Sequence, residues 1–118
     1  MSIQNYQDLI VWQKAMKLAE LVYAFTKQFP QEEIYGLTSQ VRRAAVSVPS
    51  NIAEGQARSG SAEFRNFLSI SYGSRAEAET QLIIAQRLNY ITKSQLEEAL
   101  DLSNEIKRMT HTLISKLK

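Results

Sequence analysis

Apolar residues recur every three or four positions along nearly the whole chain, and this spacing is typical of one face of an α-helix. The first helical segment, about residues 8–29, carries two such stripes. They are Leu9, Trp12, Met16, Ala19, Tyr23 and Val11, Ala15, Leu18, Val22, Phe25, Phe29. No segment alternates apolar and polar residues as a half-buried strand does. The sequence therefore predicts an all-α fold with no sheet.

Turn and capping residues divide this pattern into four helices within a single domain, residues 1–118. The predicted helices span about residues 8–29, 38–55, 61–90 and 93–117. The expected N-caps are Asp8, Thr38 or Ser39, and Thr92 or Ser94, and Pro30 stops the first helix. The connections are short, which favours antiparallel neighbours. We therefore predict an up-down-up-down four-helix bundle.

The apolar arc of the first helix is wider than the core of one small bundle needs. A second apolar face on one helix is usually buried against another molecule. We therefore expect this helix to contribute to a contact between subunits.

The stretch RRAAVSVPSNIAEG, residues 42–55, predicts a helix that is kinked at Pro49, because proline removes a backbone donor and crowds the preceding turn. Its small residues are expected to pack closely against Ser69, Ser71, Gly73, Ser74 and Ala76 of the third helix. Hydroxyls of Ser47 and Ser50 could bond backbone groups that the kink releases. The residues interpreted as a structural motif are Pro49, Asn51, Glu54, Gly55, Gly73 and Glu77.

The composition excludes several kinds of chemistry. The 118 residues include no cysteine, so disulfides, zinc–thiolate sites, iron–sulfur clusters and thiol nucleophiles are absent. The one histidine, His111, has no second histidine nearby, and no nucleophile–base pair is apparent. We expect a non-enzymatic protein without metal or cofactor. Because the chain shows neither a signal-peptide pattern nor a long apolar run, the expected location is the cytosol.

Fourteen basic and twelve acidic residues give a net charge of +2, so nucleic-acid binding would require clustering of the basic residues. One of Arg42 and Arg43 should serve the fold, with Glu54, Glu77 and Glu79 as available partners. The other could join a phosphate-contacting strip. The candidates for that strip are Arg42, Arg43, Arg58, Arg65, Lys14 and Lys17. The alternative is that they form ordinary solvated surface, and the dispersed tyrosines indicate no platform for stacking bases.

Four stretches together resemble a known family: DLIVWQKAMKLAELVY, YGLTSQVRRAAVSVPSNIAEG, FRNFLSISYGSRAEAETQLIIA and LNYIT. They are similar to the bacterial four helix bundle protein family, named also for the intervening sequences of 23S ribosomal RNA genes. The resemblance covers roughly residues 6–115. It implies an antiparallel four-helix bundle that assembles as a homopentamer around a central channel.

The same family is similar to the accessory protein of diversity-generating retroelements, a basic pentameric barrel that binds nucleic acid and a reverse transcriptase. The resemblance therefore implies an oligomer that binds structured RNA or DNA, or serves a ribonucleoprotein. The alternative is an oligomeric scaffold that binds another protein without touching nucleic acid.

Overall fold

The computed structural model describes residues 5–117, and its secondary structure within that range is entirely helical. The helices are α1 (Ile10–Thr26), α2 (Leu37–Ala57), α3 (Ser61–Arg87) and α4 (Lys93–Lys116). Short 3-10 helices occupy Tyr6–Asp8 and Gln31–Glu33. The predicted all-α four-helix bundle is confirmed.

The core is built from apolar residues that recur every three or four positions on each helix. The largest fully buried apolar side chains are Leu18, Val22, Val41, Val48, Ile52, Leu68, Leu82 and Ile106. The predicted inner stripe of α2 is confirmed, because Val41, Ala44, Ala45, Val48 and Ile52 are all buried. The helical period alone identified these positions.

The predicted caps of the first two helices were wrong. Asp8 closes a 3-10 turn that begins at Asn5, whose Oδ1 accepts a hydrogen bond from the Gln7 amide at 2.8 Å. Helix α1 therefore starts after Leu9, which provides no side-chain cap. Helix α2 starts at Leu37, and Thr38 is buried.

The N-terminus of α2 is held by a carboxylate from the preceding turn. The Leu37 amide donates to Glu33 Oε1 at 3.0 Å, and the Tyr90 hydroxyl donates to Glu33 Oε2 at 2.8 Å. Both bonds favour the ionised carboxyl group and so lower the pKa of Glu33. The bond from the Leu37 amide has the larger effect, and the bond from the Tyr90 hydroxyl has the smaller one. The bond to Glu33 also raises the pKa of Tyr90. Glu33 thus ties the start of α2 to the residues that follow α3.

We expect the variant Tyr90→Phe to raise the pKa of Glu33 toward its ordinary value, because one of the two donors is lost. The Leu37 amide remains, so the pKa should stay below that of a free glutamate. In the wild type, stability from ionised Glu33 is present above its unfolded-state pKa and is lost as pH falls through the lowered folded-state pKa. Carbon-13 NMR titration of the carboxyl group measures the change. A pKa that is equal in wild type and variant would contradict this role, and Tyr35→Phe is the matched control.

The ends of the last two helices have local causes. Asn89 has a positive φ of 64°, and the Tyr90 amide donates to the Ala85 carbonyl at 2.8 Å. This left-handed cap ends α3 at Arg87, earlier than the predicted residue 90. Thr92 caps α4, as predicted, in a reciprocal capping box with Gln95.

Helices α2 and α3 form a closely packed seam. Ser71 Oγ donates to the Val48 carbonyl at 2.8 Å, and the hydroxyls of Ser47 and Ser74 lie 2.9 Å apart. A Cβ atom added to Gly55 would lie 2.6 Å from Phe67 Cβ. The predicted contact between small residues is therefore present at these positions.

Three residues predicted for the seam, Ser50, Ser69 and Gly73, are exposed instead. Apart from the backbone of its own helix, a Cβ atom on Gly73 would meet no described atom within 4 Å, so this glycine lies on the exposed side of α3 rather than in the seam. Ser50 is also exposed, and the hydroxyl that bonds a carbonyl beside Pro49 belongs to Ser71. Helix α2 continues through Pro49 as one helix.

Candidate functional site

Arg42 joins α2 to the end of α1. Its Nε donates to Thr26 Oγ1 at 2.8 Å, and its guanidinium carbon lies 4.6 Å from the centre of the Tyr23 ring. Thr26 is buried, and its hydroxyl donates in turn to the Val22 carbonyl at 2.8 Å. Arg42 is therefore the structural member of the arginine pair. Its partners are a hydroxyl and an aromatic ring, not the glutamates considered from the sequence.

Arg43 is exposed and has no acidic partner among residues 5–117. Its one hydrogen bond is a long contact of 3.4 Å from Nη2 to Ser39 Oγ. The side chain lines an open depression of about 480 Å³ at the start of α2. The other lining residues are Tyr23, Ile34, Tyr35, Thr38, Ser39, Arg42 and Val46. We call this the Tyr35–Arg43 depression.

Two tyrosines line the Tyr35–Arg43 depression, which the sequence analysis did not foresee. Tyr35 is 94% exposed, and Tyr23 is 43% exposed although Arg42 lies over its ring. They are twelve positions apart and belong to different elements, so no spacing rule links them. An open aromatic ring beside a free cation can stack on a base while the cation contacts a phosphate.

Arg58 and Arg65 make intramolecular contacts. Arg58 forms ion pairs with Glu54 at 2.9 Å and Glu63 at 3.7 Å, and its guanidinium lies over the Phe67 ring at 5.1 Å. These bonds span the connection between α2 and α3. Arg65 Nη1 donates to the Leu117 carbonyl at 2.9 Å, which joins α3 to the end of α4.

Of the two lysines, Lys14 forms an ion pair with Glu105 of α4 at 3.1 Å. Lys17 is exposed and forms no ion pair with any residue in the described range 5–117. Both lysines line shallow depressions that contain neither Arg42 nor Arg43. Along α2, Arg42 and Arg58 are separated by about 24 Å. The candidates are therefore spread over several parts of the bundle and do not form one strip.

The remaining motif residues organise the α2–α3 seam. Asn51 Nδ2 donates to both the carbonyl and the hydroxyl of Ser47 at 2.8 Å, which orients that hydroxyl toward Ser74. Glu77 Oε2 accepts a hydrogen bond of 3.3 Å from Gln81, which also reaches Gln40 of α2. These polar contacts are architectural and contain no nucleophile–base arrangement.

The sequence analysis missed Arg75, the one charged side chain in the described part of the chain that is buried, at 4% exposure. Its Nη1 donates to Ser103 Oγ at 2.9 Å and to Glu79 Oε2 at 3.3 Å, and its guanidinium lies 5.0 Å from the centre of the Tyr72 ring. The helical period could have identified this position. The predicted inner stripe of α3 has a gap between Ser71 and Ala78, and Arg75 lies at the helical spacing that fills it.

A second missed feature is the charge distribution of α4. Its acidic residues end at Glu105, and every charged residue after that point is basic: Lys107, Arg108, Lys116 and Lys118. Within residues 5–117 no three histidine, cysteine or carboxylate side chains are grouped to hold a metal ion. Across the same range no helix is both long and apolar enough to span a bilayer.

Comparisons with known proteins agree with the architecture. A family model described as "23S rRNA-intervening sequence protein" matches residues 7–112. The fold is similar to the crystal structure of a protein described as being of unknown function, from the S23 ribosomal protein family of Bacteroides thetaiotaomicron VPI-5482. That protein is 26% identical, with a TM-score of 0.82 over 91% of this chain and 96% of its own. No match was found among curated proteins.

Proposed function

Because this chain belongs to the 23S rRNA-intervening sequence protein family, we propose that it is a non-enzymatic, oligomeric bundle that binds structured RNA or DNA, as a ribonucleoprotein accessory protein. The observation that carries the proposal is the Tyr35–Arg43 depression, where a free guanidinium lies beside an open aromatic ring. Cations supply the salt-dependent affinity for phosphates, and rings stack on unpaired bases.

For the assembly we propose up-down-up-down helices within a homopentamer. Short connections support this helix order, as does the contact between Arg42, near the start of α2, and Thr26, at the end of α1. The subunit contact would use the apolar α1–α2 face. Its lining residues are Tyr6, Trp12, Met16, Ala19, Val46, Pro49, Ser50 and Ala53. Five copies would carry a total charge of about +10.

Light scattering tests the assembly. We expect a particle of five chains at micromolar concentration, and Met16→Glu should reduce its mass because the new charge would be buried in the contact. Asn104→Glu, which adds the same charge at an exposed position of α4 that does not line this face, is the control. A wild-type protein that is a stable monomer at micromolar concentration would refute the proposed ring.

We expect nucleic-acid binding that weakens steeply between low and physiological salt, because released counterions drive it. Arg43→Ala should reduce affinity for a structured RNA about threefold to tenfold with little change in stability, since Arg43 makes no strong intramolecular bond. Tyr35→Ala should reduce affinity by a similar factor. Fluorescence anisotropy at two salt concentrations measures both effects.

Arg87→Ala is the matched control, because it removes an exposed arginine of α3 that does not line the depression. Equal losses from Arg43→Ala and Arg87→Ala would indicate diffuse charge attraction and overturn the role of the depression. Absence of binding at low salt would reject nucleic acid as the partner.

The alternative function, an oligomeric protein scaffold, is favoured by one specific observation. Four of the six basic candidates already have an intramolecular partner within 3.1 Å: Arg42, Arg58, Arg65 and Lys14. An intact oligomer that binds no RNA or DNA at low salt would support this alternative.

A further inference from the structure

A groove runs between the start of α1 and the last turns of α4. One apolar wall is formed by Leu9, Ile10 and Val11, and the other by Met109 and Leu113 of α4. Among the described residues, the lining consists of Leu9, Ile10, Val11, Arg108, Met109, Thr112, Leu113 and Lys116, around a volume of about 530 Å³. Ile10 is 53% exposed there, which is a large share for a branched apolar side chain. We call this the α1–α4 groove.

The groove has a cation at each end. Arg108 and Lys116 are exposed, and neither forms an ion pair with any residue from 5 to 117. They are eight positions apart, so they lie on one side of α4, two turns and about 12 Å from each other. The nearest acidic residue in the sequence, Glu105, is already paired with Lys14 at 3.1 Å, and no acidic residue follows it.

We propose that the α1–α4 groove is a docking site for an acidic amphipathic helix of a partner protein. Apolar side chains of such a helix would cover Ile10, Met109 and Leu113, as in other cases where a helix lies in an apolar groove. Two carboxylates seven or eight positions apart on the bound helix would reach Arg108 and Lys116. Charge complementarity of this kind sets orientation and speeds association.

The lining favours a protein over nucleic acid at this site. No aromatic ring is among the described residues that line the groove, so an unpaired base would find no platform for stacking there. A phosphate backbone would reach the two cations but leave the apolar floor uncovered. The groove shares no lining residue with the Tyr35–Arg43 depression, so the inference goes beyond the proposed nucleic-acid function and does not depend on it.

The test uses the full chain and a fluorescein-labelled 14-residue helical peptide. The peptide carries leucines along one face and two flanking glutamates seven positions apart, and a scrambled peptide of identical composition serves as the comparison. We expect anisotropy to show saturable binding of the first peptide, weaker at high salt. The scrambled peptide should bind at least about tenfold more weakly, because its leucines no longer share a face.

The double variant Arg108→Glu/Lys116→Glu should weaken peptide binding by about tenfold or more. Lys107→Glu is the matched control, because Lys107 is exposed on the same helix but does not line the groove, and its effect should stay below about twofold. Ile10→Ser should weaken binding several-fold, whereas Ile70→Ser, at a comparably exposed isoleucine of α3, should not.

Four outcomes would overturn the proposal. Equal binding of both peptides would show that the affinity comes from general charge attraction. Equal losses of peptide affinity from Lys107→Glu and from the double variant would show the same. No saturable binding at low salt would reject the docking site outright. Light scattering showing that the double variant loses subunits, while Lys107→Glu does not, would assign the groove to a contact between copies of this chain. Circular dichroism of each variant shows that the helices are retained.

Discussion

We expect the replacement of Arg75 by alanine to lower the free energy of unfolding by about 3 kcal/mol. The guanidinium is buried between α3 and α4, where it donates to Ser103 Oγ at 2.9 Å and to Glu79 Oε2 at 3.3 Å. Alanine removes both bonds, leaves the Ser103 hydroxyl without that donor, and opens a void where the aliphatic stem had packed. Urea unfolding at one protein concentration measures the loss.

Two further variants separate the charge of Arg75 from its volume. Arg75→Met keeps the length of the stem, and Arg75 Nε already has no partner among the described residues, so this variant should lose less than about 1.5 kcal/mol. Arg43→Ala, an exposed arginine with one long contact, should stay within about 0.5 kcal/mol of the wild type. If Arg75→Ala were as stable as Arg43→Ala, the buried contacts of Arg75 would not contribute to the free energy of unfolding.

Helix number and inner faces could be predicted because they depend on local periodicity. Every apolar position predicted for the inner side of α2, from Val41 to Ile52, is buried. The helix starts could not be predicted so well, because any Ser, Thr or Asp near a boundary can serve as a cap. The start of α2 is held instead by the carboxylate of Glu33, which accepts a hydrogen bond from the Leu37 amide four positions later. The Tyr90 hydroxyl, which is distant in the sequence, donates to the same carboxylate.

Partners of charged residues were the least predictable part of the candidate site. Periodicity indicates which face a residue occupies, but Arg42 bonds Thr26 sixteen positions away and Arg75 bonds Ser103 twenty-eight positions away. Such pairs depend on how the helices are placed against one another, which one sequence does not specify. The basic end of α4 is different, because the absence of acidic residues after Glu105 can be read directly from the sequence.

We expect Gly55→Ala to lower the free energy of unfolding by about 2 kcal/mol, although alanine is normally the better helix residue by about 0.5–1 kcal/mol. The added Cβ would lie 2.6 Å from Phe67 Cβ and 3.1 Å from Phe64 Cδ1. A Cβ atom cannot rotate away as the end of a flexible side chain can, so α2 and α3 would have to separate locally. Urea unfolding measures the loss.

Gly73→Ala is the matched control for Gly55→Ala, because it makes the same chemical change inside a helix where nothing lies within 4 Å of the new atom. Alanine there should raise the free energy of unfolding by about 0.5–1 kcal/mol through its helix propensity alone. The two variants should therefore move stability in opposite directions. Equal stabilisation by both would show that the α2–α3 seam at Gly55 can absorb a methyl group, and the close approach of these helices would then not require glycine.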